Sequence, residues 1–529
     1  MSVQSRLANQ KGNVSAASQA NSNRKSKAKS HQSGNSESQA DLICEIATSS
    51  YRLAQTQKGE AFAVKNDGAN VALMLSGGRT GLKADLARQF YAIHGKAPSA
   101  VALTDAFAVL EGMALQVCPT ELFTRIARHN DSVIIDLGDE TGKVIAIRLG
   151  TWSVLDRSPV TFRRTQLTAS FPIPDSTGDI SNLQQFINIT PESFPLLVGW
   201  MVAALVMPGL PRPILLLGGM QGSGKSSCAR LITGLVDPST APLKDQPANP
   251  ESWALLCYAS SVIAVDNVSK IPQWWSEALC RTVTGDAFVR RTNYKDQDLS
   301  VAEFQRAVVL TSIDIEAFRG DLGERLLLVE LEPIPPTKRC SESALNERYK
   351  GEKAKLLGGL LNVAAKALKE LPSVDLKELP RMADFALLLS ALDGLDGSDG
   401  SALKTYVAQF TRIADEVVTG DPVGIAVLDL LANHNGHWEG TATRLLDEIS
   451  PERPSKSWPK TGRAMSGRLK RLTPALLQLG VTIEKDRSAT SDRKRLIYIS
   501  RNSEPSTSSE PSTSSSNFDD DCIDSWEEV

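Results

Sequence analysis

Apolar residues recur at three- and four-residue spacing over 82–94 and 100–116, which predicts two helices. From 132 to 171 the pattern changes. Short apolar runs at 133–135 and 144–147 alternate with Gly and Asp turns, as in a small sheet. Residues 179–207 read as helical again. Four short apolar runs follow, at 213–218, 260–265, 306–310 and 326–331, and are expected as strands; the first suits a buried parallel strand. Helical periodicity returns over 343–370, 382–392 and 403–418, with an Asp/Gly-rich break at 393–400. Beyond it come a helix at 423–431, a second from near Thr441, a basic third helix over 462–474, and two strand-like pieces at 481–484 and 495–499.

The two ends lack such a pattern. Residues 1–40 are rich in Ser, Asn and Gln, carry Arg24, Lys25, Lys27 and Lys29, and are expected to be a disordered tail. Residues 502–529 repeat Ser, Glu, Pro and Thr and end in acids, a second tail. Its aromatics among acids, Phe518 and Trp526, suit folding back onto a basic surface or docking a partner. Between the tails the expected units are 41–175 (α+β), 176–340, 341–420 (helical) and 421–501.

Composition narrows the classes. With 529 residues, 41% hydrophobic, the chain can build real cores. The most apolar stretch, 194–210, is interrupted by two Pro and two Gly, short of the ~18 apolar residues of a membrane span. No apolar leader is seen, and seven Cys lie scattered without a CxxC pair beside only five His. A disulfide framework or zinc site is therefore not expected, and a reducing cytoplasm is. The net charge of −3 hides uneven clusters. Residues 41–175 hold no nucleophile–base pair or metal cluster.

Candidate chemistry begins after the 213–218 run. Residues 219–226, Gly-Met-Gln-Gly-Ser-Gly-Lys-Ser, match G-x-x-x-x-G-K-[ST] between a strand and a helix. Gly219, Gly222 and Gly224 let backbone N–H groups turn around phosphates, together with the N–H groups of Ser226 and Ser227 at a helix start. Lys225 neutralises phosphate oxygens and Ser226 holds Mg²⁺, so ATP and Mg²⁺ are the expected cofactors. Asp266, ending the 260–265 run, is the expected second Mg²⁺ ligand. Asn267 follows where many such ATPases place an acid to activate water. Thr311 and Ser312, at the end of the 306–310 run, are candidates to sense the terminal phosphate or orient water. Arg325, just before the 326–331 run, is a candidate arginine finger, with a surface salt bridge as the alternative. Residues 284–296 read as a hairpin whose Arg291, Tyr294 and Lys295 suit phosphates and bases.

This succession resembles the superfamily 3 helicases, more narrowly the ATPase module of phage, plasmid and poxvirus primase–helicases. The resemblance covers about 179–335. It implies an AAA+-like P-loop NTPase core, a homo-oligomeric ring, usually a hexamer, and DNA drawn through its pore. It puts Lys225 and Ser226 in the phosphate loop, Asp266 at Mg²⁺, Arg291 and Lys295 on the pore hairpin and Arg325 at the finger. Asn267, and Thr311 or Ser312 where an Asn is usual, depart from the family pattern. No primase signature precedes the core.

Three helices and a wing at 421–501 give a winged-helix order. Arg463, Arg468, Lys470 and Arg471 fall on the third helix; Arg487, Arg493, Lys494 and Arg495 fall on the wing. Helix and wing on one basic face suit duplex or origin DNA, the alternative being a solvated face on a protein-binding domain. The expected function is an ATP-dependent DNA helicase or replication ATPase of a phage or mobile element, partnered by DNA and by host or element replication proteins, with no membrane. A nucleotide-gated DNA-binding protein without hydrolysis is the alternative. A DNA-packaging motor is a weaker one, since no nuclease acid cluster follows the ATPase.

Overall fold

The computed structural model describes residues 38–501 except 77–80, 286, 292–298, 313–319, 396–400, 456–457 and 488–494. The expected turn residues Tyr294 and Lys295, the wing residues Arg493 and Lys494, and the acidic tail lie outside the described residues.

The described residues open with helix α1 (Gln39–Ser50), which starts two residues before 41. Ser38 caps it and Asp41 reaches back to the Ser38 N–H, a reciprocal capping box. Strands β1 (Tyr51–Gln55), β2 (Ala61–Lys65) and β3 (Ala72–Met74) form an antiparallel meander. Helices α2 (Leu82–His94) and α3 (Ala100–Ala114) pack with α1 and one face of this meander into a core of their own around Ile43, Leu86, Phe90 and Leu110. β4 (Leu122–Phe123) pairs with β9 (Thr161–Phe162). Between them, β5 (Ile126–His129), β6 (Ser132–Asp136), β7 (Val144–Arg148) and β8 (Thr151–Leu155) form a four-stranded antiparallel sheet.

That four-stranded sheet faces two cores. Val133, Ile135, Ile145 and Ile147 face the central core of the molecule, while Ile134, Val144 and Ala146 face a small cluster with Phe162. Period-2 alternation thus buries both faces, one of them against the rest of the chain. Arg125 pins the junction. Its side chain is almost wholly buried and pairs with Asp237 at 2.8 Å, donating also to the carbonyls of Asp136, Ala169 and Pro238.

Residues expected as one helix over 179–207 form a short 3₁₀ turn, Ile180–Gln185, then helix α4 (Ser193–Val206). α4 is apolar almost all round because it is covered almost all round: every residue but Pro195 is buried, and the helix lies inside the central core. The core sheet has five parallel strands: β10 (Ile214–Gly218), β11 (Leu243–Lys244), β12 (Val262–Val265), β15 (Ala307–Thr311) and β16 (Leu326–Glu330). Their spatial order is β11-β12-β15-β10-β16. Helices α5 (Lys225–Val236), α6 (Pro250–Ala259) and α7 (Gln273–Thr284) connect them, and β13 (Ala287–Arg291) pairs with β14 (Leu299–Glu303) as an antiparallel hairpin between β12 and β15.

Helices α8 (Glu342–Glu370), α9 (Ala383–Leu395) and α10 (Ser401–Thr419) follow. The expected break at 393–400 starts later, since α9 runs to Leu395; Asp393, inside α9, accepts the Ala402 and Leu403 N–H groups of the first turn of α10. Glycines let segment 175–180 lie directly on α8. A Cβ on Gly358 would sit 1.7 Å from the Asp175 carbonyl oxygen, and one on Gly359 2.4 Å from the Ile180 nitrogen. Gly358→Ala is therefore expected to force these backbones apart and lower the melting temperature, read by calorimetry; Gly351→Ala on the same helix, with open space around its Cβ, should leave it unchanged or raised.

The C-terminal unit comprises α11 (Pro422–Asn433), β17 (His437–Gly440), α12 (Ala442–Ile449), α13 (Gly462–Gln478), β18 (Val481–Arg487) and β19 (Arg495–Arg501). The expected two-stranded wing is a three-stranded sheet, order β17-β19-β18, because Trp438 lies in a strand paired to Ile499 rather than in a lead-in to a helix. α13 runs through Pro474, its expected end, burying Leu472 and Leu476 on either side. Among the described residues no helix is long and apolar enough to cross a membrane.

Candidate functional site

β10, β12 and β15 are parallel, so their carboxyl ends share one edge of the sheet, the edge where ligands collect in open α/β sheets. β10 runs into the 219–224 loop and then into α5. Gly219, Gly222 and Gly224 have φ of 143°, 82° and 83°, a region that side chains disfavour. At Gly219 a Cβ would also lie 2.5 Å from the Leu331 carbonyl oxygen. The loop is thereby held open at the start of α5, where unpaired helix N–H groups favour an anion.

Lys225 folds over this loop, its Nζ donating to the carbonyls of Gly219 (2.8 Å) and Met220 (2.9 Å). Desolvation lowers the ammonium pKa, partly opposed by the Asp266 carboxylate. Ser226 Oγ donates to Asp266 Oδ1 at 2.9 Å. Thr311 Oγ1 donates to the same carboxylate oxygen at 2.5 Å and accepts the Asn267 N–H at 2.8 Å. Asn267 has φ of 56°, left-handed backbone that Asn tolerates better than most residues. Lys225, Ser226, Asp266, Asn267, Thr311 and Ser312 all line one cavity of about 480 Å³, with Gln221, Gly222, Gly224 and Ser227.

A Ser hydroxyl and a carboxylate side by side are hard oxygen donors. They fit a Mg²⁺ ion that retains waters and takes further oxygens from phosphates. Among the described residues, Asp266 is the only carboxylate lining that cavity. A second crevice, about 670 Å³, shares Gly222, Gly224 and Ser227 with it and is lined further by Phe186, Ile187, Ile334, Leu345 and Arg348. Arg348 lies over the Phe186 ring, 5.5 Å from its centroid. These crevice residues come from both flanks of the core, and no local motif marks them.

Arg325 sits elsewhere. It ends a 3₁₀ turn before β16, and Leu326 pairs with Ile214 at the start of β10. The Arg325 side chain is largely buried at the amino edge of the sheet, the edge opposite the Lys225 cavity of its own chain. Arg291 pairs with Leu299 at the end of the β13–β14 ladder nearest the hairpin turn.

On α13, Arg463, Lys470 and Arg471 are exposed. Arg468 is not grouped with them. It pairs at 2.7 Å with Asp421, a buried residue that caps α11, so its guanidinium holds two helices together. Arg487 and Arg495 pair across the β18–β19 ladder beside the wing tip.

Two family models match parts of the chain. Residues 179–416 match the family described as "Actinomycete integrative conjugative element replication protein", and residues 423–515 match its companion, "AICE RepA C-terminal domain". No curated protein sequence matches the chain. Among solved structures, the apo C-terminal region of NrS-1 is 12% identical, with 88% of this chain and 100% of that chain covered and a TM-score of 0.36. A structure described as "SCCmec type IV Cch - active helicase" is 12% identical over 84% of this chain and 92% of that chain, with a TM-score of 0.44.

Proposed function

We propose that this chain, a replication protein of the mobile-element family matched over 179–416 and 423–515, is an ATP-driven DNA helicase or replication ATPase. The observation that carries the reading is the convergence of Lys225, Ser226, Asp266 and Thr311 on one cavity, from the carboxyl edges of three adjacent parallel strands. The β11-β12-β15-β10-β16 order suits an AAA+ P-loop core of superfamily 3 type. The triphosphate occupies the loop cavity, Lys225 exchanging its two loop carbonyls for phosphate oxygens, and the base and ribose extend into the Phe186–Leu345 crevice. Mg²⁺, when bound between Ser226 and Asp266, neutralises phosphate charge. Water attacks the γ-phosphorus, the bond to the bridging oxygen breaks, and ADP and phosphate leave.

In this reading the chain acts as a homo-oligomeric ring, a hexamer, with Arg325 reaching a neighbour's nucleotide. The β13–β14 hairpin, with Arg291, Tyr294 and Lys295, tracks single-stranded DNA in the pore. The α11–β19 unit is a winged helix whose α13 and wing hold duplex or origin DNA. Arg463→Ala with Lys470→Ala is expected to weaken duplex binding and to flatten its dependence on log salt by about two units, one per lost phosphate contact. Arg468→Ala should instead lower the melting temperature, because it strips the partner from buried Asp421. Fluorescence anisotropy over a salt series and thermal melts check both.

One observation favours a second reading. With Asn267 after Asp266 and no second carboxylate lining the cavity among the described residues, the chain suits a nucleotide-gated DNA-binding protein. Steady-state ATP hydrolysis with and without single-stranded DNA separates the two. Turnover stimulated by DNA supports the motor; tight ATP binding without turnover supports the gate. Native mass measurement with a non-hydrolysable ATP analogue and forked DNA reports the ring.

A further inference from the structure

Thr311 stands at the strand tip where a terminal-phosphate sensor is expected, but its hydrogen bonds run elsewhere. It is 2% exposed. A threonine hydroxyl has one proton to give. Thr311 gives it to Asp266 Oδ1 at 2.5 Å and uses a lone pair to accept the Asn267 N–H at 2.8 Å. No proton remains for a phosphate oxygen. The neighbouring Ser312 hydroxyl donates to the Val268 carbonyl at 2.7 Å, and the Val268 N–H donates to the Thr311 carbonyl at 2.8 Å. Two successive hydroxyls, on the last residue of β15 and on the residue after it, therefore clamp three successive residues, 266–268, and the middle one is held in left-handed backbone. Ser226 donates to the same oxygen of Asp266 at 2.9 Å, so the carboxylate is fixed between two donors.

We infer that Thr311 is a positioning residue for the metal-binding carboxylate Asp266 and not a sensor of the terminal phosphate. It sets the rotamer of Asp266 and the turn that follows, and acts on nucleotide only through the metal. The inference rests on the nucleotide-site reading above, and its test separates the two.

Affinities for fluorescent ATP and ADP analogues are measured on the full chain, with Mg²⁺ and with a chelator in its place. The proteins are wild type, Thr311→Val, Thr311→Ser and Lys225→Ala. Thr311→Val, which keeps the shape and removes the hydroxyl, is expected to lose about tenfold in affinity for both Mg²⁺-nucleotides, one decade per ~1.4 kcal/mol. Its metal-free affinities should match wild type, and Thr311→Ser should restore the rest. A loss for ATP but not ADP, regardless of metal, would make Thr311 a phosphate sensor and overturn the inference. Equal losses with and without Mg²⁺, accompanied by a lower melting temperature, would leave the hydroxyl a structural role only and overturn it as well. Wild-type Mg²⁺-nucleotide affinities in Thr311→Val, with Lys225→Ala impaired, overturn the inference alone. Equal binding by wild type and Lys225→Ala overturns the nucleotide site and the inference together.

Discussion

Arg325→Ala is expected to bind ATP nearly as well as wild type and to lose turnover by about 10³-fold or more, the scale of an arginine finger. The sheet supplies the reason for separating the two effects. Arg325 precedes β16, whose first residue pairs with the first residue of β10, whereas the 219–224 loop follows the last residue of β10. At about 3.3 Å per residue, the length of the strand stands between Arg325 and the loop of its own chain. If the guanidinium serves a nucleotide, that nucleotide belongs to a neighbouring subunit. Mixing Arg325→Ala with Lys225→Ala should therefore restore part of the activity, since an intact Arg325 and an intact loop then meet at some interfaces. Arg325→Lys, keeping charge at the largely buried site, separates loss of packing from loss of the fork. If rings assemble by native mass measurement and no mixture recovers turnover, the trans role is removed.

Arg125→Met is expected to destabilise the chain by roughly 3–5 kcal/mol, because it leaves the buried Asp237 carboxylate without its countercharge. Arg125 and Asp237 side chains are 2% and 8% exposed, so solvent cannot replace the lost partner. Asp237 also accepts the N–H groups of Ser261 and Val262 through its other oxygen. It thus ties the 126–155 sheet to the base of β12, the strand that ends at Asp266. Chemical denaturation should show the loss, and Arg125→Met with Asp237→Asn should cost less than the sum of the single changes, since no unpaired charge is then left inside. Additive costs would mean that the pair contributes nothing beyond its separate contacts.

The strands of the core were legible because each is short, apolar on both faces and bounded by polar turns, a pattern that survives burial in a parallel sheet. The loop at 219–226 was legible for a different reason. Its glycines answer a backbone requirement that is local, and the positive φ at Gly222 and Gly224 belongs to the loop itself. Helix α8, expected over 343–370, runs Glu342–Glu370 for the same local reason, with Ser341 as its cap. The failures are equally particular. β11 has two residues and β17 four, too few for a period to register, and each exists only through its neighbour in the sheet. Pro474 ends a helix in isolation, yet α13 continues past it because Leu476 is buried in the core.

By itself, then, the order of residues determined the elements whose cause is local: the amphipathic helices, the apolar strands, and the glycine loop with Lys225 and Ser226. Tertiary structure alone decided which of the distant polar groups meet. Asp266 and Thr311 are 45 residues apart and share a hydrogen bond because β12 and β15 are neighbours in parallel register. Arg463 and Arg468 look alike in a basic run, and only packing against α11 commits Arg468 to Asp421 while leaving Arg463 in solvent. The physical reason is the range of the forces. Backbone preference and hydrophobic period act over a few residues, whereas a hydrogen bond or ion pair forms wherever folding brings its two halves within about 3 Å.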